Sequence, residues 1–98
     1  MLTKWLQKHP LEGSILSNDP HAICFLCDLD GLMSPGRSDD IVEFKELTAS
    51  GKVNYLVWYY GREYWDRRRG LYSLKELNSM FRLKPMVRLR DGAVFEIE

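Results

Sequence analysis

The sequence predicts an α+β domain: a small antiparallel sheet of four or five strands with two helices packed on one face. Three observations carry this. The run "VNYLVWYY", residues 53–60, is β-branched and aromatic and apolar on both parities, the pattern of a central strand. The tail "PMVRLRDGAVFEIE" alternates on either side of Asp91-Gly92 and predicts a hairpin. Apolar residues recur at helical spacing in two places, Leu2/Trp5/Leu6 and Leu74/Leu77/Met80/Phe81.

The elements follow in chain order. "LTKWLQKH" is a short helix that Pro10 ends. "EGSILSNDP" is turn-rich and reads as a loop. After Asn18-Asp19-Pro20 two readings compete: a helix capped by Asp19 with Pro20 in its first position, or a buried strand "HAICFLCDL". The strand is preferred, because Ile23, Cys24, Phe25 and Cys27 are poor helix formers. "SPGRSDD" is a loop. In "IVEFKEL", residues 41–47, the alternation favours a strand pairing with residues 53–60, against an Asp40…Glu43 capping-box spacing and a Gly51 stop that favour a helix. Ser73…Glu76 is a capping box opening "SLKELNSMF". Asp91-Gly92 suits a type I′ turn.

A chain of 98 residues has room for one domain, residues 1–98, with one modest core. No apolar run reaches the roughly 18 residues of a membrane span. Two cysteines and an N-terminus without signal-peptide pattern suggest free thiols and a cytoplasmic setting. The formal net charge of zero hides a segregation: residues 61–90 hold nine basic and three acidic side chains, and seven of the eight arginines. Attraction for an anion would therefore be local.

"CFLCDLDG", residues 24–31, resembles the first motif of haloacid-dehalogenase-type phosphatases, an apolar strand running into Asp-x-Asp-Gly. The resemblance implies a nucleophilic Asp28, an acid/base Asp30 and Mg²⁺. It is confined to this stretch. That family needs a parallel α/β sheet much larger than this chain, with a later Ser/Thr, a Lys and a second acidic pair on separate strands; Asp39-Asp40 follows too closely to fill that role, and a turn made by Asp and Gly is the preferred reading. His21, Cys24 and Cys27 or Asp28 would share a helical face as zinc ligands but separate on a strand, and no second ligand cluster exists. With Phe25-Leu26 between them, the cysteines read as core. No metal or cofactor is expected.

"YLVWYYGREYWDRRRGLY", residues 55–72, holds seven of the twelve aromatic residues and four arginines. Rings offer stacking faces to bases, and guanidinium forks grip phosphate. Arg67, Arg68 and Arg69 are candidate phosphate ligands, Arg62, Arg88 and Arg90 flanking ones, and an exposed member of Tyr64, Trp65 or Tyr72 a stacking platform. The same Arg/Tyr/Trp surface suits an acidic protein partner, because these residue types dominate interface hot spots. A helix-turn-helix fails at Pro85, where a second helix would stand. No catalytic triad, P-loop or Gly-rich nucleotide turn is present, so the chain reads as a binder of nucleic acid or of an acidic protein surface rather than an enzyme.

Overall fold

The computed structural model describes residues 1–36, 41–51 and 53–98. Asp40 of the Asp40…Glu43 capping pair and most of the "SPGRSDD" loop lie outside the described residues. The fold is α+β, built on one five-stranded sheet in the order β2-β1-β3-β5-β4. The strands are β1 (Ser14–Ser17), β2 (Asp30–Met33), β3 (Val53–Tyr59), β4 (Leu83–Arg88) and β5 (Gly92–Ile97). The helices are α1 (Leu2–Lys8), α2 (Ile41–Ala49), α3 (Glu63–Arg68) and α4 (Leu74–Met80), with a π-helical turn at Ala22–Leu26. The Cα radius of gyration, 12.3 Å, is that of one compact domain of this length.

The sheet is mixed rather than antiparallel. β1 pairs in parallel with both β2 and β3, while β5 is antiparallel to β3 and to β4. The cause lies in two segments whose strand reading the structure corrects. Parallel neighbours need a crossover, and residues 20–26 and 41–49 supply helical ones. At the first, the Asp19 carboxylate accepts from the Ala22 amide at 3.3 Å and Pro20 occupies the opening turn. The helix then widens, and the Leu29 amide reaches back to the Ile23 carbonyl at 3.1 Å. At the second, Glu43 sits in the first turn and Gly51, at φ +77°, provides the left-handed stop.

A helix buries one stripe, so Ala22, Ile23 and Cys27 enter the core while Cys24, Phe25 and Leu26 face outward. The expected burial of Cys24 and of the Phe25-Leu26 pair is thereby corrected. β1 and β2 are strands where a loop and a turn were expected. At four residues each, they are too short to show a period.

β3 is central, between β1 and β5, as its two-sided apolar pattern requires. Its alternation divides the core. Val57 and Tyr59 join Ile15, Val94, Leu2, Leu6 and Ile23 on one face. Leu56 and Trp58 join Leu16, Ala93, Phe95, Leu77 and Phe81 on the other. A register shift opposite Ser14/Ile15 turns Val53 onto this second face. α1 and α4 therefore cover opposite faces, not one. A mixed sheet apolar on both sides needs cover on both, and Leu2, Leu6 and Leu77, all fully buried, each gain about 1.5–3 kcal/mol from leaving water.

The Ser73 capping box forms: Glu76 N donates to Ser73 Oγ at 3.2 Å and Ser73 N to Glu76 Oε1 at 3.1 Å. The C-terminal hairpin forms too, but not through a type I′ turn at Asp91-Gly92. Arg90 and Asp91 are the central residues, neither with positive φ, and Leu89 N donates to Gly92 O at 2.8 Å. Gly92 belongs to β5, where a Cβ would meet the Trp58 carbonyl oxygen and Leu2 Cδ2. Asp91 closes the frame by accepting from the Leu2 amide at 3.1 Å and from the N-terminal ammonium at 3.3 Å, capping α1 from across the sheet. Burial pushes the Asp91 carboxyl up, but these hydrogen bonds outweigh it and hold the group below the usual carboxylate range.

Candidate nucleic-acid interface

The arginine-rich stretch begins where β3 ends. Gly61, at φ +80°, turns the chain, and Glu63–Arg68 form α3. Its charges follow the helix dipole, with Glu63 and Asp66 in the first turn and Arg67 and Arg68 in the last. Arg69 is the C-cap, and Gly70 at φ +72° closes the helix: Gly70 N donates to Arg67 O at 3.0 Å and Leu71 N to Asp66 O at 2.9 Å. The triplet is thus the last turn of a helix. The acid-then-base order followed by Gly70 was the available signal.

Tyr64 and Trp65 are each 57% exposed, with ring centroids 5.3 Å apart and planes at 79°. Arg68 Nη1 donates to the Tyr64 hydroxyl at 3.0 Å, and its guanidinium lies 5.8 Å from that ring's centroid. Arg67, Arg68 and Arg69 are all exposed. Arg62 is committed to Asp19 through a 2.7 Å ion pair. Tyr72 is not a free platform: it is half-buried against the α4 core, its amide donating to Pro35 O at 3.1 Å.

Arg88 and Arg90 arrive from the other end of the sequence. Tyr60 N donates to Asp91 O at 2.9 Å, tying the hairpin turn to the start of the segment that enters α3. Arg90 is exposed in that turn. Arg88 pairs with Ala93, so it lies on the α4 face and lines a shallow groove of about 400 Å³ with Leu74, Lys75 and Phe95. Lys75 and Leu74 also line a neighbouring cavity of about 550 Å³ with Arg67 and Trp58, so the two depressions meet over the first turn of α4. Lys75 is a basic residue of this surface that sequence reasoning left out.

Beneath α3 lies a buried polar cluster that the sequence did not announce. Asn18, one residue beyond β1, accepts from Tyr59 N at 2.9 Å and donates to Tyr59 O at 2.8 Å, extending the β1–β3 pairing with a side chain. The same Nδ2 donates to Asp66 Oδ2 at 3.1 Å. Asp66 is 5% exposed, and its other oxygen, Oδ1, has no hydrogen-bond partner among the described residues. Burial pushes its carboxyl up, aided by Glu63; the Asn18 bond and the charges of Arg62 and Arg69 pull it down, and burial prevails. Ser34 Oγ, just past β2, is also buried without a hydrogen-bond partner among the described residues. Asn18, Ser34 and Asp66 thus gather at the C-terminal ends of the three parallel strands.

Around residues 24–31 the structure departs from the phosphatase pattern. A helical turn, not a strand, precedes Asp28, and the strand β2 begins at Asp30. Asp28 is exposed in the left-handed region at φ +54°, a turn conformation that Asp tolerates. The Asp30 side chain lies outside the described residues. Both cysteines are free: Cys24 is exposed, and Cys27 is buried with its thiol pushed up by burial. Among the described residues no three His, Cys, Asp or Glu side chains form a metal-binding group, and no helix is long and apolar enough to cross a membrane.

No family model matches the chain, and no curated protein or solved structure is detectably similar to it.

Proposed function

We propose that the protein is a non-enzymatic, cytoplasmic binding protein that contacts nucleic acid through the α3 end of its sheet. Affinity would come from phosphate contacts, with little sequence readout. One observation carries this reading: α3 and its C-cap present two exposed rings and three exposed consecutive arginines, and the Tyr60–Asp91 hydrogen bond ties the turn that carries Arg90 to the start of the segment entering α3. Rings that accept any base and guanidinium groups that accept any phosphate are the two parts of a sequence-tolerant single-strand site. The cytoplasmic assignment rests on the two free thiols.

The geometry also lends weight to an adaptor or inhibitor that docks on an acidic protein surface. The two rings of α3 stand at 79° rather than side by side, as anchors entering two pockets would. The discriminating test is Arg67→Ala, Arg68→Ala and Arg69→Ala together, titrated with a labelled single-stranded oligonucleotide at two salt concentrations. A nucleic-acid site loses affinity for every sequence, and its slope of log K against log salt flattens by about 0.7 per contact removed. No binding by the parent protein would remove the nucleic-acid reading and leave the protein partner.

A further inference from the structure

The combination of exposed rings and cations on α3 recurs on α1. A shallow depression of about 340 Å³ lies where α1 passes the residue after β4, lined by Met1, Lys4, Trp5, Lys8, His9 and Leu89. Lys4, Lys8 and His9 are exposed, so a ligand in the depression can reach all three. No carboxylate lines it, and residues 1–11 contain none. Asp91, the carboxylate at the N-terminal end of α1, is engaged by the Leu2 amide and the N-terminal ammonium. Lys4 and Lys8 therefore share one helix face at i and i+4, where like charges repel and a bound anion relieves them. Beside them stands a stacked pair of rings: those of Trp5 and His9 lie 4.6 Å apart at 21°. His9 Nδ1 donates to the Trp5 carbonyl at 3.0 Å, which holds the imidazole over the indole. Trp5 and Leu89 pack against the core, so the pair stands on a fixed base.

The hairpin turn joins this surface to α3. Leu89 lines the depression, and Arg90, next in sequence, is exposed. Asp91 then reaches both ways: its carboxylate accepts from the Leu2 amide of α1 at 3.1 Å, and its carbonyl from Tyr60 N, at the start of the segment entering α3, at 2.9 Å. One turn thus carries a cation between two basic, ring-bearing helices. We propose that α1 is a second contact for the same single-stranded nucleic acid: the strand runs from α3 past Arg90 onto α1, Lys4 and Lys8 take phosphates, and a base stacks on the outer face of the His9–Trp5 pair. This rests on the nucleic-acid reading of α3 and lengthens that site from one helix to a track. A carboxylate-rich protein surface would satisfy the lysines but leave the stacked rings unused. A nucleotide brings a phosphate and a π-face together.

The test uses the full chain and a labelled oligothymidylate of about twelve nucleotides, within the footprint of small single-strand binding folds. Lys4→Ala with Lys8→Ala should weaken binding about tenfold at low salt and flatten the slope of log K against log salt by about 1.4, or 0.7 for each contact. His9→Ala should weaken it about fivefold or more, through the lost stacking face. In the parent protein, NMR titration should shift the indole N–H signals of both Trp5 and Trp65 with one affinity. That readout stands even if a variant does not fold. Oligonucleotide binding that the lysine pair does not affect, or that shifts Trp65 and not Trp5, would overturn the track and leave the α3 site in place. No oligonucleotide binding by the parent protein would remove both. Oligoglutamate that shifts Trp5 as strongly as the oligonucleotide would overturn the stacked base and assign α1 to an acidic protein.

Discussion

Asn18 Nδ2 donates to Asp66 Oδ2 at 3.1 Å, joining the end of β1 to α3 across 48 residues of sequence. The same amide holds both backbone groups of Tyr59. One side chain therefore locks three elements, and it does so where water cannot substitute, since Asn18 is 1% exposed. Asn18→Ala should strip Tyr59 of two partners and leave the Asp66 carboxylate wholly unsatisfied. The expected cost is about 3 kcal/mol in urea-induced unfolding. A loss below about 0.5 kcal/mol would mean that the network does not hold α3.

Asp66 also sets a pH dependence. Its folded carboxyl is raised above the ordinary value of 3.8, chiefly by burial. Between that value and the raised one, the folded chain binds more protons than the unfolded chain, so stability falls as pH rises through the window. Asp91 acts in the opposite sense. Its lowered carboxyl contributes stability that is lost as pH falls below 3.8. The windows do not overlap, so Asp66→Asn should gain stability relative to the parent protein as pH climbs above 3.8, and leave the acid limb in place. Parallel stability–pH curves for the two proteins would contradict this.

The parts of this fold that were legible in the sequence are those whose signal is local. Val53–Tyr59 is apolar on both parities and is central. Ser73 and Glu76 form the box that their spacing announces. The misread parts are those where burial decides. "HAICFLCDL" offers only poor helix formers, yet Asp19 and Pro20 start a helix there, and Phe25 and Leu26 are exposed rather than core. Once residues 20–26 and 41–49 are helices, β1, β2 and β3 are free to run parallel. No pattern within any one strand records that. At the site, the exposed rings and arginines of α3 could be anticipated from composition. The Asn18–Asp66 contact could not, because Asn and Asp are the commonest of turn residues and nothing in sequence marks one as buried.

Gly92 offers a test of packing at the hairpin end of the sheet. It lies opposite Tyr59, and an added Cβ would meet the Trp58 carbonyl oxygen and a Leu2 methyl. The carbonyl belongs to the central strand and cannot swing aside, and Leu2 is fully buried at the capped end of α1. Gly92→Ala should cost about 2–3 kcal/mol, the range for forcing a methyl into a close-packed interior. Calorimetry would show it as a lowered Tm. Because β5 and α1 would shift together, the Asp91–Leu2 hydrogen bond should weaken, and faster exchange of the Leu2 amide would report it.

Trp65 separates surface function from fold most directly. The ring is 57% exposed, edge-on to Tyr64, and belongs to neither core cluster. Its removal deletes no core contact, so Trp65→Ala should change stability by no more than about 0.5 kcal/mol. If bases stack on this ring, the same change should cost about 1–3 kcal/mol of oligonucleotide affinity. It should do so without altering the salt dependence, because no phosphate contact is lost. That is the inverse of the arginine triplet, whose removal flattens the salt slope. Binding isotherms for the two variants at two salt concentrations would therefore show stacking and charge as separable contributions of one helix. Unchanged affinity in Trp65→Ala, with the triplet's effect intact, would restrict the site to charge. A collapsed melt would show that Trp65 is scaffold and that the binding surface lies elsewhere.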